Sequence, residues 1–153
     1  MKFSAQEEYG LRCLLAVAKA GSATISEISK SEGLGEPHVA KLLMILRKGG
    51  FISSTRGQSG GYALSRPAGE IKVGQVLAEL GGKLYEEDFC DRYSGQHDVC
   101  CRTGACSIAG LWSEVQDAVD GVLDRYTLDD LLKKENGRNV TFHGTPQTVG
   151  DPA

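Results

Sequence analysis

Residues 46–67, LRKGGFISSTRGQSGGYALSRP, decide the fold of this chain. Gly49-Gly50 ends a helix, because paired glycines have low helix propensity and free the backbone to turn. Phe51-Ile52-Ser53-Ser54-Thr55 then carries the aromatic and β-branched residues of a strand. Arg56-Gly57-Gln58-Ser59-Gly60-Gly61 is a turn, and Tyr62-Ala63-Leu64 a returning strand. Lacking side chains, Gly60 and Gly61 can come close to a sugar–phosphate rail, while Arg56 can enter a narrow minor groove. A plain surface hairpin is the competing reading, and the flanking residues decide between the two.

Upstream, residues 4–20 read as a helix with Tyr9, Cys13, Ala16, Val17 and Ala20 on one stripe and Gly21 as its stop. Cys13 in that stripe is expected as a small core residue. Thr24-Ile25-Ser26-Glu27 is a capping box that opens a second short helix, which Gly33 ends. Gly35-Glu36-Pro37 starts a third, with Pro37 in the first turn, where its missing N–H costs nothing. Val39, Leu42, Leu43, Ile45 and Leu46 give this helix an apolar face, leaving His38, Lys41, Arg47 and Lys48 on polar positions. Two short helices joined by a glycine-bearing turn read as helix-turn-helix, the second being the reader. Helix pair, basic helix and Arg-Gly hairpin stand in the order of a winged helix-turn-helix, so the hairpin is its wing. The expected class is mainly α with a small β-hairpin.

Downstream, Pro67-Ala68-Gly69 interrupts the pattern, residues 73–80 form a further short helix, and Gly81-Gly82 leads into a second informative stretch. Residues 89–112, FCDRYSGQHDVCCRTGACSIAGLW, hold four of the five cysteines, Cys90, Cys100, Cys101 and Cys106, in a polar loop. Such a loop cannot offset its ordering entropy by burying apolar surface. Soft thiolates gathered in one place suit zinc or an iron–sulfur cluster as the tie. From Ser107 onward Ile108, Leu111, Trp112, Val115, Val119, Val122, Leu123 and Tyr126 keep a helical stripe for about five turns. A long amphipathic helix beside a small head needs a partner surface, and a second copy is the simplest supplier. Residues 127–132 read as a capped terminal turn. The expected organisation is a DNA-binding head over 1–80, a cysteine loop over 81–107, a dimerisation helix and terminal turn over 108–134, and a disordered tail over 135–153.

Composition sets the bounds. At 153 residues and 41% hydrophobic, the chain is long enough for one core. Net charge is −3, but residues 1–67 carry nine Lys/Arg against five Asp/Glu (+4) and residues 68–153 carry eight against fifteen (−7). A basic head on an acidic body puts any polyanion contact in the first half. No apolar run approaches membrane-spanning length, and the opening MKFSAQEEYG lacks the apolar core of a signal peptide, so a cytoplasmic location with no membrane partner is expected. Thiols stay reduced there, which favours metal-binding or redox roles over structural disulfides.

MKFSAQEEYGLRCLLAVA, the wing segment LRKGGFISSTRGQSGGYALSRP, IKVGQVLAEL and the Cys-then-LW entry to the long helix lie in one order that resembles the IscR/NsrR family of bacterial winged-helix regulators. The resemblance covers residues 1–134. It implies a homodimeric transcription factor on a double-stranded DNA operator, whose loop cysteines hold an iron–sulfur cluster, 2Fe–2S or 4Fe–4S, that sets DNA affinity or site choice. Carried over by position, Pro37, His38 and Lys41 would face the major groove, with Arg56, Gly60 and Gly61 in the wing. Ala40 stands where some members carry a carboxylate used in base discrimination, so the operator sequence does not transfer. Cys90, Cys100 and Cys106 match the three cluster ligands; the 100–106 gap agrees with the family and the 90–100 gap exceeds that of its founding members. The histidine some members use three residues after the last cysteine is Ala109 here. Glu8 stands where other members take a carboxylate from the partner subunit, and His97 is the local competitor.

The thiol chemistry leaves three readings beside one another. Cys106 opens a helix whose dipole favours its anion, and Arg92 and Arg102 can offset ligand charge. Side chains of the adjacent Cys100 and Cys101 diverge, so spacing selects Cys100 and leaves Cys101 as a spare, oxidisable thiol. An iron–sulfur cluster stands first. Structural zinc is second, the gaps being longer than a tight knuckle, and a metal-free thiol switch is third. An oxidoreductase is weaker still, since no Cys-x-x-Cys accompanies a βαβ pattern. Phosphate-binding glycine loop, nucleophile elbow and paired catalytic carboxylates are all missing from the sequence. No catalytic residue, no small-molecule substrate and no enzyme activity are therefore expected.

Overall fold

The computed structural model describes residues 2–57, 60–102, 104 and 106–137. Gln58 and Ser59 at the wing tip, Thr103 and Ala105 in the cysteine loop, and the tail from 138 lie outside the described residues.

The head opens with α1 (Ala5–Ala20), α2 (Ile25–Glu32) and α3 (Glu36–Lys48). Capping boxes start the first two: Ser4 and Glu7 exchange side-chain-to-backbone bonds on α1, and Thr24 and Glu27 do so on α2. Each satisfies two amides that a helix start otherwise leaves bare, and such a cap contributes about 1 kcal/mol. Gly33 closes α2 in the left-handed region, at φ +68°, where a side chain would be strained. The buried face of α1 is Gly10, Cys13, Leu14 and Val17. It is rotated from the expected stripe, for Ala20 is exposed and Tyr9 and Ala16 are half-buried. Burial pushes the Cys13 thiol up to about 11, so it stays protonated inside the core. Alkylation of native protein is accordingly expected to leave Cys13 unmodified until denaturant is added, which peptide mass spectrometry reads directly.

β1 (Ile52–Thr55) and β2 (Gly61–Leu64) pair antiparallel, Ile52 opposite Leu64 and Thr55 opposite Gly61. A 3-10 turn at Ala68–Glu70 leads into α4 (Val73–Gly81). Leu14, Ile28, Leu42, Leu43, Leu46, Ile52, Ile71 and Leu80 are fully buried in one cluster. At about 1.5–3 kcal/mol per buried aliphatic side chain, this cluster holds the head together. Where α1 crosses α4, a Cβ on Gly10 would stand 2.4 Å from Cδ2 of the buried Leu80. Gly10→Val is expected to cost about 1–3 kcal/mol through overpacking, seen as a lower thermal midpoint.

A short helix, α5 (Phe89–Arg92), interrupts what the sequence presented as loop and carries Cys90. α6 (Ser107–Leu123) follows the cysteines and leans on α4. Backbone pairs fasten its lower end: Val73 N–H donates to the Tyr126 carbonyl at 3.0 Å and Leu128 N–H to the Ile71 carbonyl at 2.9 Å. α7 (Leu128–Asn136), opened by a Thr127–Asp130 capping box, returns Leu128 to the head's core. Helix therefore continues to Asn136, two residues into the stretch from 135 that was expected to be disordered. Among the described residues no helix is long and apolar enough to cross a membrane.

Candidate nucleic-acid interface and cysteine site

Gly35 turns the chain into α3 without a side-chain cap, with Pro37 in the first turn. Val39, Leu42, Leu43 and Leu46 face inward, and Glu36, Pro37, His38, Lys41, Met44, Arg47 and Lys48 are exposed. Pro37, Lys41, Met44 and Lys48 recur at four, three and four residues and so share one stripe. His38 sits at the margin of this face, its ring edge-on to Tyr9 with centroids 5.6 Å apart. Met44, 60% exposed, is a candidate interface residue that the sequence reading passed over. Its signal was an apolar residue out of phase with the buried set, and its chemistry suits a thymine methyl group.

In the wing, Arg56 follows β1 directly and is exposed. Gly60 N–H donates to the Gly57 carbonyl at 3.1 Å, closing the turn on its near side. Gly61 has an internal reason to be glycine: a Cβ there would come within 3.0 Å of the Ala23 carbonyl oxygen. The Ala23 and Tyr62 amides exchange bonds of 2.9 and 2.8 Å at this point and dock the wing on the turn before α2.

The cysteine site lies at the far end of α6 from the backbone clamp. Cys90 on α5, Cys100 ahead of α6 and Cys106 at its N-cap are half-buried, and together with Arg102, Gly104 and Ala109 they border one cavity of about 240 Å³. The Cys106 Sγ accepts the Ala109 N–H at 3.4 Å, so the first turn of α6 is aimed at that sulfur. Cys101 is exposed and does not border this cavity, but it joins Cys90, Cys100 and Cys106 around an adjoining depression with Tyr93, Ile108 and Trp112. His97 is exposed and borders neither. Arg102 lines the thiol cavity as expected, but Arg92 is turned away: it pairs with Glu86 at 3.4 Å and Asp88 at 3.2 Å, over the Phe89 ring. Glu8, on α1, borders a separate groove with Leu11, Val122 and Lys134, so it does not reach the thiols of its own chain. Among the described residues, no three His, Cys, Asp or Glu side chains close around a single metal ion.

A second polar arrangement had no signal in the sequence. Gln116, buried in the middle of α6, accepts the amide N–H groups of Leu84 at 2.8 Å and Tyr85 at 3.1 Å. Its Nε2 donates to Asp120 at 2.8 Å, and Asp120 pairs with Lys83 at 3.1 Å. A glutamine within an apolar stripe looks like a solvated position until the chain folding over it is seen.

Residues 3–134 match the model of a family described as Rrf2, iron-dependent transcriptional regulator. The chain belongs to the Rrf2 family. It is 33% identical to Protein rrf2 of Nitratidesulfovibrio vulgaris, over 95% of this chain and 99% of that protein. It is 30% identical to the HTH-type transcriptional regulator IscR of Salmonella paratyphi B, over 98% and 93% of the two chains. Among solved structures it is similar to T. potens IscR (TM-score 0.70, 29% identity, 93% and 94% covered) and to CymR, the global cysteine regulator of B. subtilis (TM-score 0.64, 28% identity, 87% and 97% covered). This Rrf2-family chain is thus a transcriptional regulator with a DNA-binding winged-helix head, and its relatives and fold are those of regulators rather than enzymes.

Proposed function

We propose that this Rrf2-family protein is a cytoplasmic, homodimeric regulator whose grip on its operator is set by an iron–sulfur cluster. Cys90, Cys100 and Cys106 would hold it, with Glu8 of the partner subunit as fourth ligand. The observation that carries this reading is the single cavity bordered by those three thiols and Arg102. Structural zinc is less well served, because the Cys90-to-Cys100 and Cys100-to-Cys106 intervals exceed the tight Cys-x2–4-Cys knuckle usual for it. A polynuclear cluster spreads its ligands over several atoms, which suits thiols ranged around a cavity rather than a point. Similarity to IscR regulators supports the same assignment.

An iron–sulfur cluster supplies metal–ligand bonds that respond to oxidation, nitric oxide or iron supply. The chain converts that into head geometry. With its three thiols tied, the loop between α5 and α6 is ordered against the upper end of α6. With Glu8 of the partner subunit engaged as well, the site spans two heads. Operator half-sites lie about 34–36 Å apart on one face of the duplex, so a small rotation of either head removes its contacts. A tenfold change in occupancy requires only about 1.4 kcal/mol of differential stabilisation.

The dimer is supported by α6 itself. Ile108, Leu111 and Val122 are 46%, 53% and 46% exposed, and with Val115 and the exposed Ala118 they recur at three, four, three and four residues. That is the spacing of a helix–helix seam, distinct from the side bearing Trp112, Gln116 and Val119.

Anaerobically purified protein should be coloured and contain iron and acid-labile sulfide. One zinc per chain without sulfide would end this reading. On DNA, Arg56→Ala should weaken operator binding and shallow the log Kd against log salt slope by about 0.9 for a single lost phosphate contact. An unchanged slope would remove Arg56 from the interface. The second reading is a metal-free thiol switch, favoured by the exposed Cys101 and by similarity to CymR, of which an oxidised form has been solved from Staphylococcus aureus. Colourless protein whose DNA binding still responds to peroxide and recovers with dithiothreitol would select it.

A further inference from the structure

We propose that Gln116 is the positioning residue through which the state of the cysteine site reaches the winged head. The inference rests on the cluster-controlled reading above and adds the point at which loop and head are joined. The head ends at α4, whose last residue is Gly81, and the chain then turns at Gly82 with φ +80°. Beyond that turn, residues 83–88 lead to α5 and Cys90. A glycine in this conformation is a natural swivel, and a slack swivel would let the cysteine loop order or loosen without moving the head.

Two glutamine amides bracket the swivel. On the head side, Gln6 Nε2 of α1 donates to the Leu80 carbonyl, and a Cβ on Gly81 would strike the Glu7 side chain at 2.5 Å, so α1 is seated against the end of α4. On the loop side, the Gln116 Oε1 accepts both the Leu84 and Tyr85 N–H groups. Gln116 is itself held by Asp120, which also pairs with Lys83. Gln116 is 8% exposed, so water does not readily replace these bonds. From Cys106 to Gln116 is ten residues, about 15 Å of rigid helix. A shift of the upper end of α6 therefore arrives at residues 84 and 85, two and three residues past the swivel, and from there at α4. Glu8 follows Gln6 and Glu7 on the same turn of α1, so the partner's cysteine site would bear on the opposite side of the bracket.

The test compares operator affinity of cluster-loaded and cluster-free protein for wild type, for Gln116→Ala, and for the exchanged pair Gln116→Glu with Asp120→Asn. That pair keeps a side-chain acceptor oxygen for the two amides, reverses the carboxamide–carboxylate bond and leaves the net charge unchanged. In wild type the loaded-to-free affinity ratio should be at least about tenfold. In Gln116→Ala the visible spectrum and the cluster-free affinity should match wild type while the ratio falls to within about twofold of unity, and Leu84 and Tyr85 should lose hydrogen-exchange protection. The exchanged pair should restore the ratio. If Gln116→Ala keeps the wild-type ratio, weakens both forms alike or bleaches the chromophore, or if the exchanged pair behaves like Gln116→Ala, Gln116 is a packing residue and the inference falls. A wild-type ratio near unity would instead overturn the cluster-controlled reading itself, independently of Gln116.

Discussion

Cys106→Ala is expected to abolish the visible chromophore and, with it, any difference between loaded and stripped protein in operator binding. Of the three thiols at the cavity, this one caps α6, its sulfur accepting the Ala109 N–H. Its loss would remove one of the three proposed ligands and also the anchor at the upper end of α6. Cys90→Ala and Cys100→Ala should give the same colourless protein, whereas Cys101→Ala should stay coloured, because Cys101 is exposed and does not border the smaller cavity the other three share with Arg102. The head should survive in every case: none of these cysteines belongs to its core, so circular dichroism and the thermal midpoint should change little. Anaerobic absorbance and iron and sulfide content check the first half, and a bleached Cys101→Ala beside a coloured Cys100→Ala would reverse the ligand choice.

Leu111→Asp should convert the dimer to monomer and lower operator affinity by about 100-fold or more, because two linked heads bind with the advantage of a high effective concentration. Leu111 is 53% exposed in the single chain and central to the seam running from Ile108 to Val122. Two-fold pairing would bury two copies of the aspartate against apolar neighbours, at several kcal/mol for unpaired charges. Trp112→Asp, about 100° further round the same helix, is half-buried against the cysteine depression and should instead damage cluster retention. Analytical ultracentrifugation separates the two: a dimeric Leu111→Asp would show that α6 pairs through another surface or not at all.

Wherever local rules decide structure, the sequence was legible. The Thr24–Glu27 capping box, Pro37 in a first turn and Gly33 past a last one placed α2 and α3 to within a residue or two, since each satisfies amides or allows a backbone conformation that its neighbours cannot. The wing followed from its residue types. What stayed hidden was set by tertiary contacts. Position and spacing could nominate Cys90, but not the turn of helix that turns Arg92 toward Glu86 and Asp88. The single stripe read along α6 is two faces, one leaning on α4 and one open, and periodicity cannot tell which neighbour covers which. Met44 and Gln116 were overlooked for opposite reasons. Met44 is apolar yet faces out, and Gln116 is polar yet buried under the chain returning from α4.

The most direct test of the account measures operator affinity of one anaerobic preparation before and after its cluster is removed by nitric oxide or air, with iron and sulfide assayed on the same sample. The account predicts coloured, iron-containing protein whose Kd changes by at least about tenfold on bleaching, and a Cys106→Ala variant fixed at the bleached value. A colourless, iron-free wild type that binds its operator equally tightly with or without oxidant would contradict it.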